Sequence, residues 1–215
     1  MAEPSTESNA NGDLAEARID AIRDRELVGK RRGQILDASL ALFLEKGYAA
    51  VTIRDICAAS GVNQASLYDY IANKQDILRR LLNRLWFSRD LEGLADRLAS
   101  DPAPVSQALR AFYADNWKTN RDAILLAYRS IPHLTPEDRQ LLREREERTI
   151  GELSTRLAER TGADADDPRV RVVSNFLVYL NAFGPFRDWL MNAEEEAVAL
   201  EMVGTAMDAM VARLE

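Results

Sequence analysis

Side chains that can hydrogen-bond to a nucleic acid are concentrated in one short stretch, residues 63–74. Gln64 can pair with an adenine edge, Ser66 can contact a base or a phosphate, and Ala65 leaves room for a base or meets a thymine methyl. A second set carries hydroxyl or ammonium donors suited to phosphate oxygens, which fix position and not sequence: Tyr68, Tyr70 and Lys74. These residue types indicate double-stranded DNA as a partner.

Two short helices around a glycine corner would hold these side chains in place. Thr52 is the predicted N-cap of a helix over about 53–59, with Asp55 three residues later, as in a capping box. Gly61 allows the positive φ of a corner, four residues after the small Cys57. Asn63 would cap the next helix, about 64–70. The apolar residues that would lock the two helices together are Ile53, Ile56, Val62, Leu67 and Ile71.

The charge of the chain is unevenly placed. Residues 30–80 hold eight basic and five acidic residues, a net +3, so the total of −7 leaves −10 for the remainder. A basic segment on an acidic body suits a protein that touches DNA through one end. The run Lys30-Arg31-Arg32 starts a helix of about 30–46 and is either a phosphate contact or a solvated helix start. The complete predicted DNA-binding set is Arg31, Arg32, Thr52, Arg54, Asn63, Gln64, Ala65, Ser66, Tyr68, Tyr70 and Lys74.

The residues argue against an enzyme. The single cysteine, Cys57, excludes an internal disulfide, and the single histidine, His133, lies 76 positions away in a predicted loop. One cysteine and one histidine at that separation form neither a metal site nor a convincing nucleophile pair. We find no glycine-rich phosphate loop and no pair of carboxylates set apart from the rest. We therefore predict no catalytic residues, no metal and no cofactor.

The stretch from Arg32 to Leu78 resembles the DNA-binding domain of the TetR family of bacterial transcriptional regulators. The matching segments are Ile35-Leu36-Asp37-Ala38, Leu42-Phe43, Gly47-Tyr48, Val51 to Ile56, Ser60-Gly61-Val62, Ser66-Leu67-Tyr68, Tyr70 and Lys74. Three positions depart from the usual pattern, and each keeps one property of the family residue: Cys57 is small, Asn63 can cap a helix and Ile71 is apolar. The resemblance covers about 47 residues, near a quarter of the chain.

The resemblance implies an all-α homodimer that binds double-stranded operator DNA. Its N-terminal part would be a three-helix, helix-turn-helix DNA-binding domain, and its C-terminal part a helical ligand-binding and dimerisation domain. The two recognition helices would enter major grooves at half-sites about one helical turn apart, roughly 34–36 Å. Members of the family mostly repress transcription, and a small molecule in the second domain releases the DNA.

On this basis we divide the chain into three parts. Residues 1–27 are a flexible extension with either a short helix from residue 14 or a solvated charged tail, and Arg18, Arg23 and Arg25 could reach DNA if it is ordered. Residues 28–80 are the DNA-binding domain and residues 81–215 the ligand and dimer domain. No apolar run approaches the roughly 18 residues needed to span a bilayer and no hydrophobic signal region is seen, so we expect a cytoplasmic protein.

Two apolar helices near the end of the chain could form a dimer seam. The stretch 168–191 is apolar around most of its circumference, which predicts burial on both sides. The last helix, about 193–214, would place seven apolar residues on one face: Ala197, Leu200, Val203, Ala206, Met207, Met210 and Val211. These two helices from each subunit would make a four-helix interface. The alternative is a purely internal core.

A ligand cavity needs apolar walls with a few polar groups. For each candidate, ordinary core packing is the favoured interpretation over ligand contact. The candidates are Phe112, Tyr113, Asn116, Trp117, Tyr128, Arg129, Asn175, Phe176, Tyr179 and Phe183. Arg129 interrupts an apolar run, and a half-buried arginine needs an anion, either a protein acid such as Glu137 or Glu144 or a ligand carboxylate or phosphate. Some family members with a similar arrangement respond to acyl-CoA thioesters, so an acyl-CoA and an uncharged aromatic or lipophilic effector both stay open.

The leading hypothesis is a ligand-responsive DNA-binding transcriptional regulator, in the form of a repressor released from its operator by its effector. The alternative is a helical small-molecule-binding protein without sequence-specific DNA binding. The sequence does not name the effector, the operator or the regulated genes, and it does not decide between repressor and activator.

Overall fold

The computed structural model of the chain describes residues 13–19, 21–22, 24–87 and 92–214. Every regular element in these ranges is helical, which confirms the predicted all-α class. In chain order the α-helices are α1 (Arg25–Lys46), α2 (Ile53–Ser60), α3 (Gln64–Leu67), α4 (Lys74–Leu85), α5 (Leu94–Ser100), α6 (Val105–Thr119), α7 (Arg121–Ser130), α8 (Pro136–Thr161), α9 (Pro168–Arg187) and α10 (Ala193–Val211). Short 3₁₀ turns follow α7 and α9, at Ile131–His133 and Asp188–Leu190. Within the described ranges, no helix combines the length and apolar content that crossing a bilayer requires.

The chain forms two compact units. The N-terminal unit holds the described residues of Met1–Ser88 together with Leu126–Leu141, and the C-terminal unit holds those of Arg89–Leu125 and Leu142–Glu215. The predicted division at residues 80 and 81 did not foresee that the end of α7 and the start of α8 cluster with the N-terminal unit. As a division of function, it stays a prediction.

The predicted starts of α2 and α3 are confirmed by their caps. Thr52 and Asp55 form a capping box, in which the Asp55 backbone N–H donates to the Thr52 hydroxyl oxygen at 3.2 Å and the Thr52 N–H donates to an Asp55 carboxylate oxygen at 2.8 Å. The Asn63 side chain accepts a hydrogen bond from the Ser66 N–H at 2.8 Å. Since these contacts satisfy N–H groups that no helical carbonyl can reach, they fix where α2 and α3 begin.

Of the two alternatives for the N-terminal extension, the short helix from residue 14 is wrong. Residues 13–19 are non-helical and lie along α4, and α1 begins at Arg25 instead of near residue 30. Asp24 caps α1 by accepting hydrogen bonds from the N–H groups of the second and third helical residues, both at 3.1 Å. Of the three arginines that could reach DNA, Arg18 and Arg25 are exposed, and Arg23 lies outside the described residues.

Helix α3 is shorter than the predicted 64–70. It ends at Leu67, and the chain tightens into a turn in which the N–H of Asp69 donates to the carbonyl of Ser66 at 3.1 Å and the N–H of Tyr70 to that of Leu67 at 3.0 Å. These are three-residue spacings, typical of a tightened last turn. The turn places the side chain of Tyr70 in the core, a result that helical spacing alone did not predict.

The core of the C-terminal unit is built mainly by α6, α9 and α10. This corrects the predicted face of α10. Val203, Met207 and Val211 are buried against the unit's own core, because α10 packs closely on α6, while Ala197 and Ala206 are exposed. The internal-core alternative is therefore right for this face, and a different face of α10 is left for any partner.

Candidate nucleic-acid interface

The corner between α2 and α3 has helix-turn-helix geometry. Gly61 adopts φ +69° and ψ +16°, the left-handed conformation that side chains other than glycine rarely take, and its N–H donates to the carbonyl of Cys57 at 3.0 Å. Four of the five predicted lock residues are buried and Ile53 is partly buried; the buried four are Ile56, Val62, Leu67 and Ile71. The apolar side of both helices thus anchors the corner and leaves the polar side outside.

The outward side of α3 carries the predicted base-reading residues. Gln64 and Ala65 are exposed, Ser66 is partly exposed, and Tyr68 directly after the helix is 47% exposed. Asn63 is also exposed, but its side-chain oxygen already serves as the helix cap. This face offers an amide, a hydroxyl and a phenol in sequence, the donors and acceptors that base edges and phosphates require.

The start of α2 gives a second set of polar groups. Thr52 and Arg54 are both exposed. The Thr52 hydroxyl donates to an Asp55 carboxylate oxygen at 2.6 Å, and this hydrogen bond, together with the one from the Thr52 backbone N–H, holds the pKa of Asp55 below its usual range. Asp55 is therefore ionised at neutral pH, which suits the positive end of a helix.

Three residues of the predicted phosphate-binding set are engaged within the protein. The Lys74 ammonium donates to the carbonyls of Tyr48 and Val51, both at 2.9 Å, and lies 4.4 Å from the centroid of the Tyr48 ring. Burial lowers the pKa of Lys74. The Arg32 Nε donates to the carbonyl of Tyr70 at 3.2 Å, and Tyr70 itself is only 7% exposed.

These contacts give Lys74 and Arg32 a structural role that the phosphate prediction did not foresee. Both bind carbonyl oxygens at chain reversals, and sequence spacing does not reveal which carbonyls a fold leaves without partners. Arg31 is different, because it is exposed and its guanidinium contacts only the neighbouring Gln34 side chain, at 3.1 Å, among the bonds seen in the described chain. Of the cationic candidates, Arg31 and Arg54 are therefore the ones best placed to meet a phosphate.

Five of the predicted ligand residues lie together in the C-terminal unit. Phe112, Tyr113, Asn116 and Trp117 follow one another on α6, and Phe183 on α9 faces them. The Tyr113 and Trp117 rings are stacked with centroids 6.5 Å apart, and the Phe183 ring lies 6.1 Å from that of Trp117. Burial strongly raises the pKa of Tyr113, whose hydroxyl donates to the Leu177 carbonyl at 2.5 Å.

Polar groups accompany this aromatic cluster. The Asn116 amide donates to the Asn181 side-chain oxygen at 2.9 Å. The indole N–H of Trp117 is buried and has no hydrogen-bond partner among the described residues. A buried donor without a partner is costly, so it marks a place where an acceptor from outside the chain would be favoured.

Sequence reasoning missed two residues of this cluster. Asn181 lies in an apolar stretch, and nothing in the sequence around it indicates that its side chain pairs with Asn116. Gly184 lies directly against the Trp117 ring, so that even a methyl group at this position would overlap the indole. A glycine followed by Pro185 inside a long apolar segment was the available signal, since helix interiors normally avoid both residues.

The other predicted ligand residues do not join this cluster. Asn175, Phe176 and Tyr179 are exposed on α9, and Tyr128 and Arg129 belong to the N-terminal unit. The expectation that Arg129 is half-buried and needs an anion is wrong. Arg129 is exposed, and its guanidinium donates to the Leu44 carbonyl at 3.2 Å. In the same region the ring of His133 lies 5.2 Å from that of Tyr48.

A helix with an exposed polar side, joined to α2 through a left-handed glycine corner, gives the N-terminal unit the geometry of a helix-turn-helix domain. The family described as "Bacterial regulatory proteins, tetR family" matches residues 35–81, which include the whole corner. The corner and the helices on either side of it are therefore similar to this family.

Among characterised relatives, the chain is 34% identical over 143 residues to the HTH-type transcriptional regulator HbdR of Aromatoleum sp., a match that covers 63% of this chain and 59% of HbdR. It is 40% identical over 55 residues to the HTH-type transcriptional repressor KstR2 of Mycobacterium tuberculosis, covering 26% of this chain and 28% of the repressor. The chain thus spans about three fifths of HbdR and little more than a quarter of KstR2.

Solved structures share the fold over most of the chain. The TetR-family regulator PfmR of Thermus thermophilus has a TM-score of 0.58 at 25% identity, with 84% of this chain and 98% of PfmR covered. AibR, solved in complex with isovaleryl coenzyme A and operator DNA, has a TM-score of 0.63 at 20% identity, with 81% of this chain and 97% of AibR covered.

Proposed function

We propose that this chain is a ligand-responsive transcriptional regulator that acts in the cytoplasm as a homodimer and represses by binding operator DNA through α3. The observation that carries the proposal is the exposed Gln64, Ala65 and Ser66 face on the Gly61 corner, within the segment that matches the family. The protein works by binding and not by catalysis, as regulators of this family generally do.

In this proposal the polar residues of the N-terminal unit have different roles. Gln64 reads a base edge through its amide, and Ser66 contacts a base or a phosphate. Tyr68, Arg54 and Arg31 contact phosphates and set the register of the helix in the groove. Lys74, Arg32 and Tyr70 stabilise the N-terminal unit itself. The first two donate to backbone carbonyls, and the Tyr70 side chain is buried.

Support for a homodimer comes from an exposed apolar stripe. On α9, Val172, Phe176 and Tyr179 are 53%, 55% and 57% exposed and stand at spacings of four and three residues, on one face of the helix. On α10, Val198 and Met202 are 52% and 57% exposed and stand four residues apart. A stripe this apolar is unfavourable in water, and a second copy of the same two helices would cover it.

The proposed effector site is the aromatic cluster of α6 and α9. Its aromatic rings favour an apolar or aromatic body, and the unpartnered Trp117 indole favours a hydrogen-bond acceptor such as a carbonyl or carboxylate oxygen. A short acyl thioester has both features, and the AibR complex with isovaleryl coenzyme A gives a precedent within the same fold. An aromatic acid is the competing effector class.

DNA binding tests the core of the proposal. We would measure binding of the full chain to a duplex from upstream of its own gene and to a scrambled duplex of equal length, across a salt series. Gln64→Ala should reduce discrimination between the two duplexes by about 1–3 kcal/mol, whereas Tyr68→Phe should weaken both alike. Gln107→Ala, an exposed glutamine on α6, is the matched control and should change neither.

Equal affinity of the unaltered chain for both duplexes at every salt concentration would refute the proposed regulator and favour a helical small-molecule-binding protein.

The dimer is tested separately by sedimentation velocity. Phe176→Asp should give monomers, while Thr155→Asp on an exposed face of α8 should not. For the effector, Trp117→Phe keeps a ring and removes the indole donor, so it should weaken effector-induced DNA release by up to about tenfold.

A further inference from the structure

An extended segment before α1, which we call the N-terminal strap (residues 13–19), is fastened along α4. The Leu14 N–H donates to the side-chain oxygen of Asn83 and the Asn83 amide donates back to the Leu14 carbonyl, both at 2.9 Å. Leu14 is fully buried. One side-chain amide therefore pairs with both backbone groups of Leu14, as a neighbouring β-strand would.

The buried guanidinium of Arg80 holds the next two residues of the strap. It donates to the Glu16 carboxylate at 2.5 Å and to the Ala17 carbonyl at 2.6 Å. Its Nε donates to the Asp76 carboxylate at 3.1 Å, and both Arg80 and Asp76 are at most 5% exposed. Since a buried ion pair needs further hydrogen bonds to offset its desolvation, the strap supplies partners that this pair requires.

The strap and α4 match in length. The strap contacts run from Leu14 at Asn83 to Ala17 at Asp76, in the direction opposite to the helix. Three residue steps of extended chain cover about 10 Å, and the seven helical steps from residue 76 to residue 83 cover about the same distance. Each strap residue can therefore meet its own partner on one face of α4.

Asp76 connects the strap to the chain that leaves α3. One of its carboxylate oxygens accepts the Ala17 N–H at 2.9 Å, and the other accepts the Ala72 N–H at 3.1 Å. Two residues earlier, the Tyr70 carbonyl accepts the Arg32 guanidinium. The turn between α3 and α4 is therefore held from behind by the same buried carboxylate that holds the strap.

We infer that the N-terminal strap is a positioning element for α3: by completing the Asp76–Arg80 pair, it fixes the turn at Ala72 in the conformation that presents α3 to DNA. This inference rests on the proposed DNA-binding function, and it assigns the strap no contact with DNA. The 13–19 segment is then a working part of the DNA-binding unit and not a tail attached to it.

The test uses the full chain with the strap loosened. Leu14→Ala together with Glu16→Ala removes the buried anchor and the Arg80 partner, and leaves every residue of α2, α3 and α4 unchanged. Glu45→Ala, an exposed acid on α1, is the control because it removes the same charge from the same unit. Amide hydrogen exchange at residues 70–72 and DNA affinity across a salt series are the two readouts.

We expect faster exchange at Ala72 in the double variant and unchanged exchange in the control. If the released turn holds the binding conformation about a tenth of the time, the apparent Kd rises about tenfold. The slope of log Kd against log salt should not change, because no phosphate contact is lost; loss of a direct contact would lower it by about 0.9. Asn83→Ala, which removes the Leu14 clamp alone, should show the same changes to a smaller degree.

Unchanged exchange at Ala72 in both strap variants would overturn the inference, and so would faster exchange with unaltered DNA affinity. A reduced salt slope would also overturn it, because the strap would then be a DNA contact. If the unaltered chain discriminates no duplex, the proposed function fails instead, and the exchange readout still reports whether the strap fixes the turn.

Discussion

Replacing Lys74 with methionine distinguishes a structural role of this lysine from the phosphate contact that the sequence predicts. The Lys74 ammonium donates to the carbonyls of Tyr48 and Val51 at 2.9 Å, and to that of Ala49 at a longer 3.4 Å. These carbonyls lie in the segment between α1 and α2, so the ammonium closes the chain reversal before the helix-turn-helix corner. Methionine keeps the aliphatic stem beside the Tyr48 ring and removes the charge and all three donors.

The expected loss follows from these contacts. A hydrogen bond to a charged group contributes about 1.5–3 kcal/mol, and two of the three have good geometry. Because this segment is partly exposed, water can replace part of each bond, so we expect a loss of about 2–3 kcal/mol in unfolding free energy. For a chain of this size that corresponds to a fall of about 4–12 °C in Tm.

Thermal and urea unfolding followed by circular dichroism would measure this loss. Lys46→Met is the matched control, since Lys46 is an exposed lysine in the last turn of α1 and its removal should cost less than about 1 kcal/mol. DNA binding should be compared where both variants are folded. An unchanged Tm together with a salt slope reduced by about 0.9 would refute the structural role and restore Lys74 as a phosphate contact.

Three further outcomes are expected. Gly61→Ala should destabilise the protein by about 1–2 kcal/mol because φ is +69°, whereas Gly33→Ala within helix α1 should stabilise it by about 0.5–1 kcal/mol. An added methyl group meets no atom at either position, so the midpoints of urea unfolding report the backbone effect alone. Burial raises the pKa of the Cys57 thiol, so its alkylation at neutral pH should be slower than that of a free thiol and should recover in urea; equal rates in both conditions would contradict this. The Asp55 pKa is depressed, so its stabilising effect is present above the unfolded value of roughly 3.9 and is lost as pH falls through the folded value. Thr52→Val should move the Asp55 pKa, followed by NMR titration, back towards that unfolded value.

Local signals were enough to predict the helix-turn-helix corner. Thr52, Gly61 and Asn63 act on groups within three or four residues, so their roles depend on chain chemistry that the sequence displays directly. The apolar lock follows for the same reason, because burial of one side of a short helix leaves a periodic pattern. The caps, the corner and the buried lock residues were therefore predicted correctly.

Long-range contacts were not predictable in the same way. Leu14 and Asn83 are 69 positions apart, and nothing in the polar sequence around Leu14 indicates that this leucine is buried. Lys74 and Arg129 looked like ligands for external anions because only the fold shows that nearby carbonyls accept hydrogen bonds from them. A cation therefore identifies a site from sequence only when every internal acceptor within its reach is known.

The contact between Trp117 and Gly184 has an evolutionary consequence. The indole occupies the space that a side chain at position 184 would need, so Trp117 is compatible only with a glycine at that position. A drift from glycine to alanine would be tolerated only after the tryptophan had been replaced by something smaller. Among descendants of this chain, positions 117 and 184 should therefore change together, and the order of change should run from the ring to the glycine.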